Sequence, residues 1–137
     1  MSVFDGFQRK HDYLICVDSD GCVMDTMNCK HIYCFGPCLI AEWELEAWEE
    51  KILKRWNEIN LFSMTRGINR FRALAIALEE INLSYQPIPG IEVFQDWICT
   101  APALSNNAVK QAIEETSDEN GIEIFQKVLH WSNAVQP

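Results

Sequence analysis

Hydrophobic and polar positions follow two different rhythms along this chain. The first is a short unbroken apolar run, YLICV at residues 13–17, rich in β-formers and closed by Asp18. Such a run predicts a buried strand over 13–18. Residues 19–38 mix Gly, Cys and Asn with a Gly36-Pro37 pair, which predicts a loop or a short hairpin. From Ala41 the period changes. Leu45, Trp48, Ile52, Trp56 and Ile59 recur at three- and four-residue spacing, with Glu44, Glu46, Glu49, Glu50 and Glu58 largely between them. That spacing predicts an amphipathic helix over 41–60 with a wide aromatic stripe, whose ordinary use is helix–helix packing.

The helical rhythm continues to the end. Phe71, Leu74, Ala75, Leu78 and Ile81 share one face of a helix over 69–82, with Asn69 as its N-cap. YQPIPG at 85–90 breaks the pattern, and a short apolar run, VFQDWIC, follows at 93–99. Two more helices are expected, over 106–114 after Ser105 and over 118–135 after Ser117, the second with Ile122, Phe125 and Leu129 aligned. There is no internal repeat or low-complexity tract. One strand followed only by helices is lopsided, because a lone strand cannot satisfy its ladder hydrogen bonds.

Composition narrows the function classes. At 137 residues, 48% of them hydrophobic with five Trp and seven Phe, the chain has the material for one cored domain. The net charge of -9 argues against nucleic acid or an acidic membrane surface as the main partner. No apolar run approaches the roughly 20 residues that span a bilayer, and no signal-peptide core precedes the first strand. Six cysteines without a secretion signal point to free thiols in a reducing, cytoplasmic compartment.

The chemistry is concentrated at the tip of the apolar run. In an extended strand, residues i and i+2 point to one side, so Asp18 and Asp20 aim two carboxylates at one small volume, and Gly21 lets the backbone turn there. Carboxylates that close repel unless a divalent cation sits between them or one holds a proton. Both solutions suit phosphoryl transfer: magnesium neutralises phosphate charge, one carboxylate attacks phosphorus, and the other carries a proton.

LICVDSDGCVMDT, at residues 14–26, resembles the first motif of the haloacid dehalogenase-like (HAD) superfamily. The resemblance covers the strand, both aspartates, Gly21 and the Asp25-Thr26 pair. It implies an α/β, Rossmann-like core in the full protein. This chain would be mostly α: the first core strand and catalytic loop over 1–27, and a helical cap with the start of the return to the core over 28–137. Asp18 would be the nucleophile that becomes an aspartyl-phosphate and a magnesium ligand. Asp20 would be the general acid/base, also on the metal, with Gly21 beside the substrate. TRGINRF, at 65–71, is similar to the cap's specificity loop, so Arg66 and Arg70 would face the substrate, Arg70 serving a distal phosphate. The implied activity is a magnesium-dependent phosphatase or phosphomutase acting on a small phosphorylated metabolite.

The later motifs of that family find no match. Thr100 follows too short an apolar run, the Asp118-Glu119 pair reads as a helix N-terminus, and Lys110 and Lys127 lie within helical patterns. The chain is therefore expected to be the N-terminal portion of a longer protein, inactive alone and self-associating through exposed core surface. Two alternatives stand beside this reading. One is a non-catalytic helical interaction module. The other is a cysteine-ligated metal protein, in which Cys29, His31, Cys34 and Cys38 supply four soft ligands within ten residues at an irregular spacing.

Overall fold

In the computed structural model, which describes residues 6, 8, 10–19 and 21–135, residues 13–18 have no regular secondary structure. The buried strand expected there does not form. Leu14 is 87% and Ile15 84% exposed, and Val17 is exposed as well. The physical reason is the one that made the pattern lopsided: no strand exists among the described residues to pair with it, so the run has neither ladder partners nor a covering layer.

What folds is a helical body. It begins with α1 (Thr26–Lys30), a π-helical turn (His31–Phe35) and α2 (Gly36–Glu42), which run on without a break. From Thr26 onward this replaces the loop or hairpin expected over 19–38, whereas the described residues of 19–25 do form a turn. The Gly36-Pro37 pair looked like a turn signal, but it works inside a helix. Pro37 follows directly on the π turn within this continuous run, and its missing N–H interrupts the hydrogen-bond ladder there. Gly36 is there for space: a Cβ would stand 2.8 Å from Leu53 Cδ2 and 3.1 Å from the His31 carbonyl oxygen. The π turn just before it carries the backbone through that crowded point.

The helix expected over 41–60 is divided. Glu44 adopts a left-handed conformation at φ 54°, and the Leu45 N–H donates 3.0 Å to the Ile40 carbonyl, closing α2 with the bond pattern of a Schellman motif. A 3-10 turn (Glu46–Trp48) then leads into α3 (Glu49–Asn57) and a second π-helical turn (Glu58–Phe62). The stripe still reaches the core, with Leu45, Ile52, Trp56 and Ile59 buried, but by way of a corner.

Four helices complete the body: α4 (Arg70–Ser84), α5 (Ile91–Thr100), α6 (Asn106–Glu115) and α7 (Glu119–Ala134). Asn69 caps α4 as expected, accepting from Phe71 N at 2.9 Å, and Ser105 caps α6, accepting from Ala108 N at 3.2 Å. The cap of α7 is Asp118 rather than Ser117, its carboxylate accepting from Gly121 N at 2.8 Å. The buried face of α7 is accordingly Gly121, Ile124, Phe125, Val128, Trp131 and Ser132. The apolar run over 93–99 is part of α5. Helix α7 packs on α2, α5 and α6, and α4 bridges α3 and α5.

Aromatic side chains tie these contacts together in two groups. Phe35, Trp56 and Trp131 meet at the junction of the first π turn, α3 and α7, with the Trp56 and Trp131 rings edge to face at 5.9 Å. Phe71, Phe94, Trp97 and Phe125 meet where α4, α5 and α7 converge. Such pairs add about 0.5–1.5 kcal/mol each beyond the area they bury.

Candidate functional site

The acidic loop is small and tightly closed. Gly21 takes φ +72°, and its N–H donates both to the Met24 carbonyl at 3.0 Å and to the Thr26 hydroxyl at 3.1 Å. Met24 N–H donates 2.9 Å to the Ser19 carbonyl. The glycine is needed twice over, for the left-handed backbone and because a Cβ would lie 2.7 Å from Met27 Cγ. Asp25 accepts from Asn28 Nδ2 at 3.0 Å across the first turn of α1. Asp25 and Thr26 therefore shape the loop. Asp18 stands exposed at its entrance, and Asp20 lies outside the described residues.

Arg66 and Arg70 engage different surroundings. Arg66 is exposed on the loop after the second π turn, with Nη1 3.5 Å from the Leu61 carbonyl. That loop is clamped by hydroxyls: Ser63 and Thr65 bond one another at 2.7 Å, and Thr65 donates to the Ile59 carbonyl at 2.6 Å. Arg70, the first residue of α4, is half-buried and turned toward α6 and α7. Its Nε donates 3.0 Å to Ser132 Oγ and its Nη2 donates 3.0 Å to Asn106 Oδ1, while the guanidinium lies 4.5 Å above the Phe71 ring. Ser132 donates in turn to Asn106 Oδ1 at 2.6 Å, and Asn106 Nδ2 to Asn133 Oδ1 at 2.9 Å.

This cluster joins the start of α4, the start of α6 and the end of α7. Its charge is carried by Arg70, and the partners of that guanidinium are neutral. Burial lowers the affinity of Arg70 for its proton, although a guanidinium stays charged across the working range of pH. The sequence reading singled out Arg70 but not Asn106, Ser132 or Asn133. Ser105-Asn106 carried a capping signal, whereas nothing in the sequence links Ser132 to an arginine 62 residues away.

The soft ligands do not assemble. His31 is buried, Cys29 is exposed, and Cys34 and Cys38 are half-buried. Among the described residues no group of three or more His, Cys, Asp or Glu side chains could hold a metal ion. The Cys38 thiol is pushed up by burial, and further by Cys34 and Glu42, which makes it a poor thiolate at neutral pH. The residues set aside as later motifs have structural work: Thr100 donates to the Asp96 carbonyl, Asp118 caps α7, and Lys127 lies 3.7 Å from Glu123.

No described helix is long and apolar enough to cross a membrane. Comparison with known protein families, with curated proteins and with solved structures finds no match to this chain.

Proposed function

We propose that this chain is the motif-bearing and cap-bearing portion of a HAD-type, magnesium-dependent phosphatase or phosphomutase that acts on a small phosphate ester in the cytoplasm. The observation that carries the reading is the composite LICVDSDGCVMDT. The closed Gly21–Thr26 loop supports it, since the glycine and threonine of the motif meet in one hydrogen bond with Asp18 exposed beside them.

In this reading the Asp18 carboxylate attacks phosphorus and the ester P–O bond breaks. Asp20 gives its proton to the departing oxygen. Asp20 then takes a proton from the water that cleaves the aspartyl-phosphate. Asp18 and Asp20 would hold the magnesium ion, whose preference for oxygen donors they meet. Among the described residues no group of three or more His, Cys, Asp or Glu side chains could hold a metal ion, and Asp20 lies outside those residues. When bound, the ion supplies charge neutralisation to the phosphoryl oxygens. Gly21 would sit against the substrate, and Arg66 or Arg70 would receive a distal phosphate. Arg66 is the freer of the two, since Arg70 already has two internal hydrogen bonds.

The test has two arms. The purified 137-residue chain is expected to show no magnesium-dependent hydrolysis of p-nitrophenyl phosphate. The reading frame after Pro137 is expected to continue into a strand ending in Ser or Thr, then a Lys, then an apolar strand ending in two acids. Turnover by the longer product should disappear in Asp18→Asn. A longer product whose turnover survives that substitution defeats the reading.

A second reading, a helical interaction module, is favoured by the loop over 62–67. Phe62 and Met64 are both exposed there, on a turn that Ser63 and Thr65 hold rigid. A stop codon directly after Pro137 would shift the weight to it.

A further inference from the structure

His31 is the only buried residue among the described residues before Gly36. Every described residue of α1 and of the acidic loop lies outside the core, so this imidazole is the first anchor that the chain sets in the helical body. Its surroundings are aromatic. The ring stacks on Phe35 at 5.2 Å between centroids and leans on Trp56 at 5.9 Å. Behind them Trp131 packs on both Phe35 and Trp56, and its indole N–H donates 3.2 Å to the Phe35 carbonyl.

Among the described residues, that box presents ring faces to the buried Nδ1 edge of His31. The His31 Nδ1 atom is buried with no hydrogen-bond partner, and so is Trp56 Nε1. A neutral imidazole tolerates this as a nearly apolar ring. An imidazolium would place a second N–H donor and a full charge in the same space. Cation–π contact returns less than it costs to take an ion out of water.

Among the described residues, no acid makes up the difference. Lys30, next in the chain, opposes a positive His31. Glu42 of α2 is engaged by His130 of α7, and Glu58 and Glu80 are both held by Arg55 of α3. Burial first and Lys30 second depress the imidazole below its ordinary value of 6.5. The segment that holds His31 is also one that can let go. It is a single π-helical turn between two α-helical stretches, a geometry less favourable than the α-helix on either side.

We propose that His31 is an acid-sensitive latch: neutral, it fills the aromatic box and holds the helix leading out of the acidic loop onto the body; protonated, it leaves the box and releases residues 26–35. The sign follows from linkage. Unfolded or released, the imidazole protonates at its ordinary value, whereas in the box it protonates only at lower pH. The latched state is therefore fully stable above the ordinary value and loses stability as pH falls toward and through the lowered one. Acid would loosen the loop that carries Asp18 while α4–α7 stay folded.

Amide hydrogen exchange of the chain between about pH 7.5 and about pH 5, corrected for intrinsic rates, tests this. Protection of residues 26–35 is expected to fall relative to that of α4–α7 as the pH is lowered across this range. In His31→Phe, which keeps the ring stack and cannot protonate, protection of 26–35 should be independent of pH. His130→Gln removes the contact between His130 and Glu42 and should leave the response of 26–35 in place. A response that persists in His31→Phe, or vanishes in His130→Gln, overturns the proposal. Should His31→Phe not fold, imidazole NMR of the native chain decides. A His31 resonance that titrates at or above 6.5, or that stays neutral while 26–35 lose protection, also overturns it.

Discussion

Replacing Arg70 by methionine separates a structural arginine from one reserved for substrate. The native guanidinium donates to Ser132 Oγ and Asn106 Oδ1, both at 3.0 Å, and lies 4.5 Å above Phe71. A hydrogen bond to an ionised group is worth about 1.5–3 kcal/mol when well shielded, and a cation–π contact at a partly exposed site about 0.5–1 kcal/mol. Arg70 is only half-buried, so water replaces part of what is lost. The Ser132–Asn106 bond at 2.6 Å also survives its removal. Methionine recovers most of the packing of the aliphatic stem. The low ends for the two hydrogen bonds and the cation–π contact total about 3.5 kcal/mol, and discounting this for the half-exposed position leaves a loss of about 2 kcal/mol, which lowers a urea midpoint by roughly 1 M at a slope of about 2 kcal/mol/M. Urea unfolding followed by tryptophan fluorescence measures it, because Trp131 sits one residue from Ser132. A midpoint unchanged to within about 0.25 M would refute the view that Arg70 ties α4 to α6 and α7.

Two further substitutions test other parts of the structure. Glu44 closes α2 with a left-handed backbone at φ 54°, so Glu44→Gly should stabilise by about 0.5–1 kcal/mol, the relief of strain exceeding the added chain entropy; a lower midpoint in thermal unfolding would count against that corner. Ile15→Glu places a charge on the exposed apolar run. It should leave unfolding within about 0.5 kcal/mol of native while reducing self-association in light scattering, and a large loss of stability would mean that the run is packed after all.

Much of the helical body was legible because helix signals are local. The spacing of Phe71, Leu74, Ala75, Leu78 and Ile81 marks the inner face of α4, and all five are buried. Asn69 and Ser105 cap because a side-chain oxygen beside the first N–H groups needs only its own few residues. The errors came where one signal has two uses. Gly36-Pro37 reads as a turn until Leu53 and the His31 carbonyl are seen crowding the glycine. Ser117 and Asp118 are both good caps, and choosing between them depends on how the chain enters α7.

Periodicity, capping and motif spacing are properties of neighbouring residues, so an acid-tipped apolar motif followed by a chain of amphipathic helices is written in local sequence. Tertiary structure decided the rest. A strand needs partners that no window of sequence contains, so residues 13–18 stay exposed however strand-like they read. The aromatic stripe turns a corner at Glu44, because the buried rings must meet Phe35 and Trp131 rather than continue along one axis. Arg70 turns inward because folding brings Ser132 within hydrogen-bond reach across 62 residues, a distance over which composition and period carry no information.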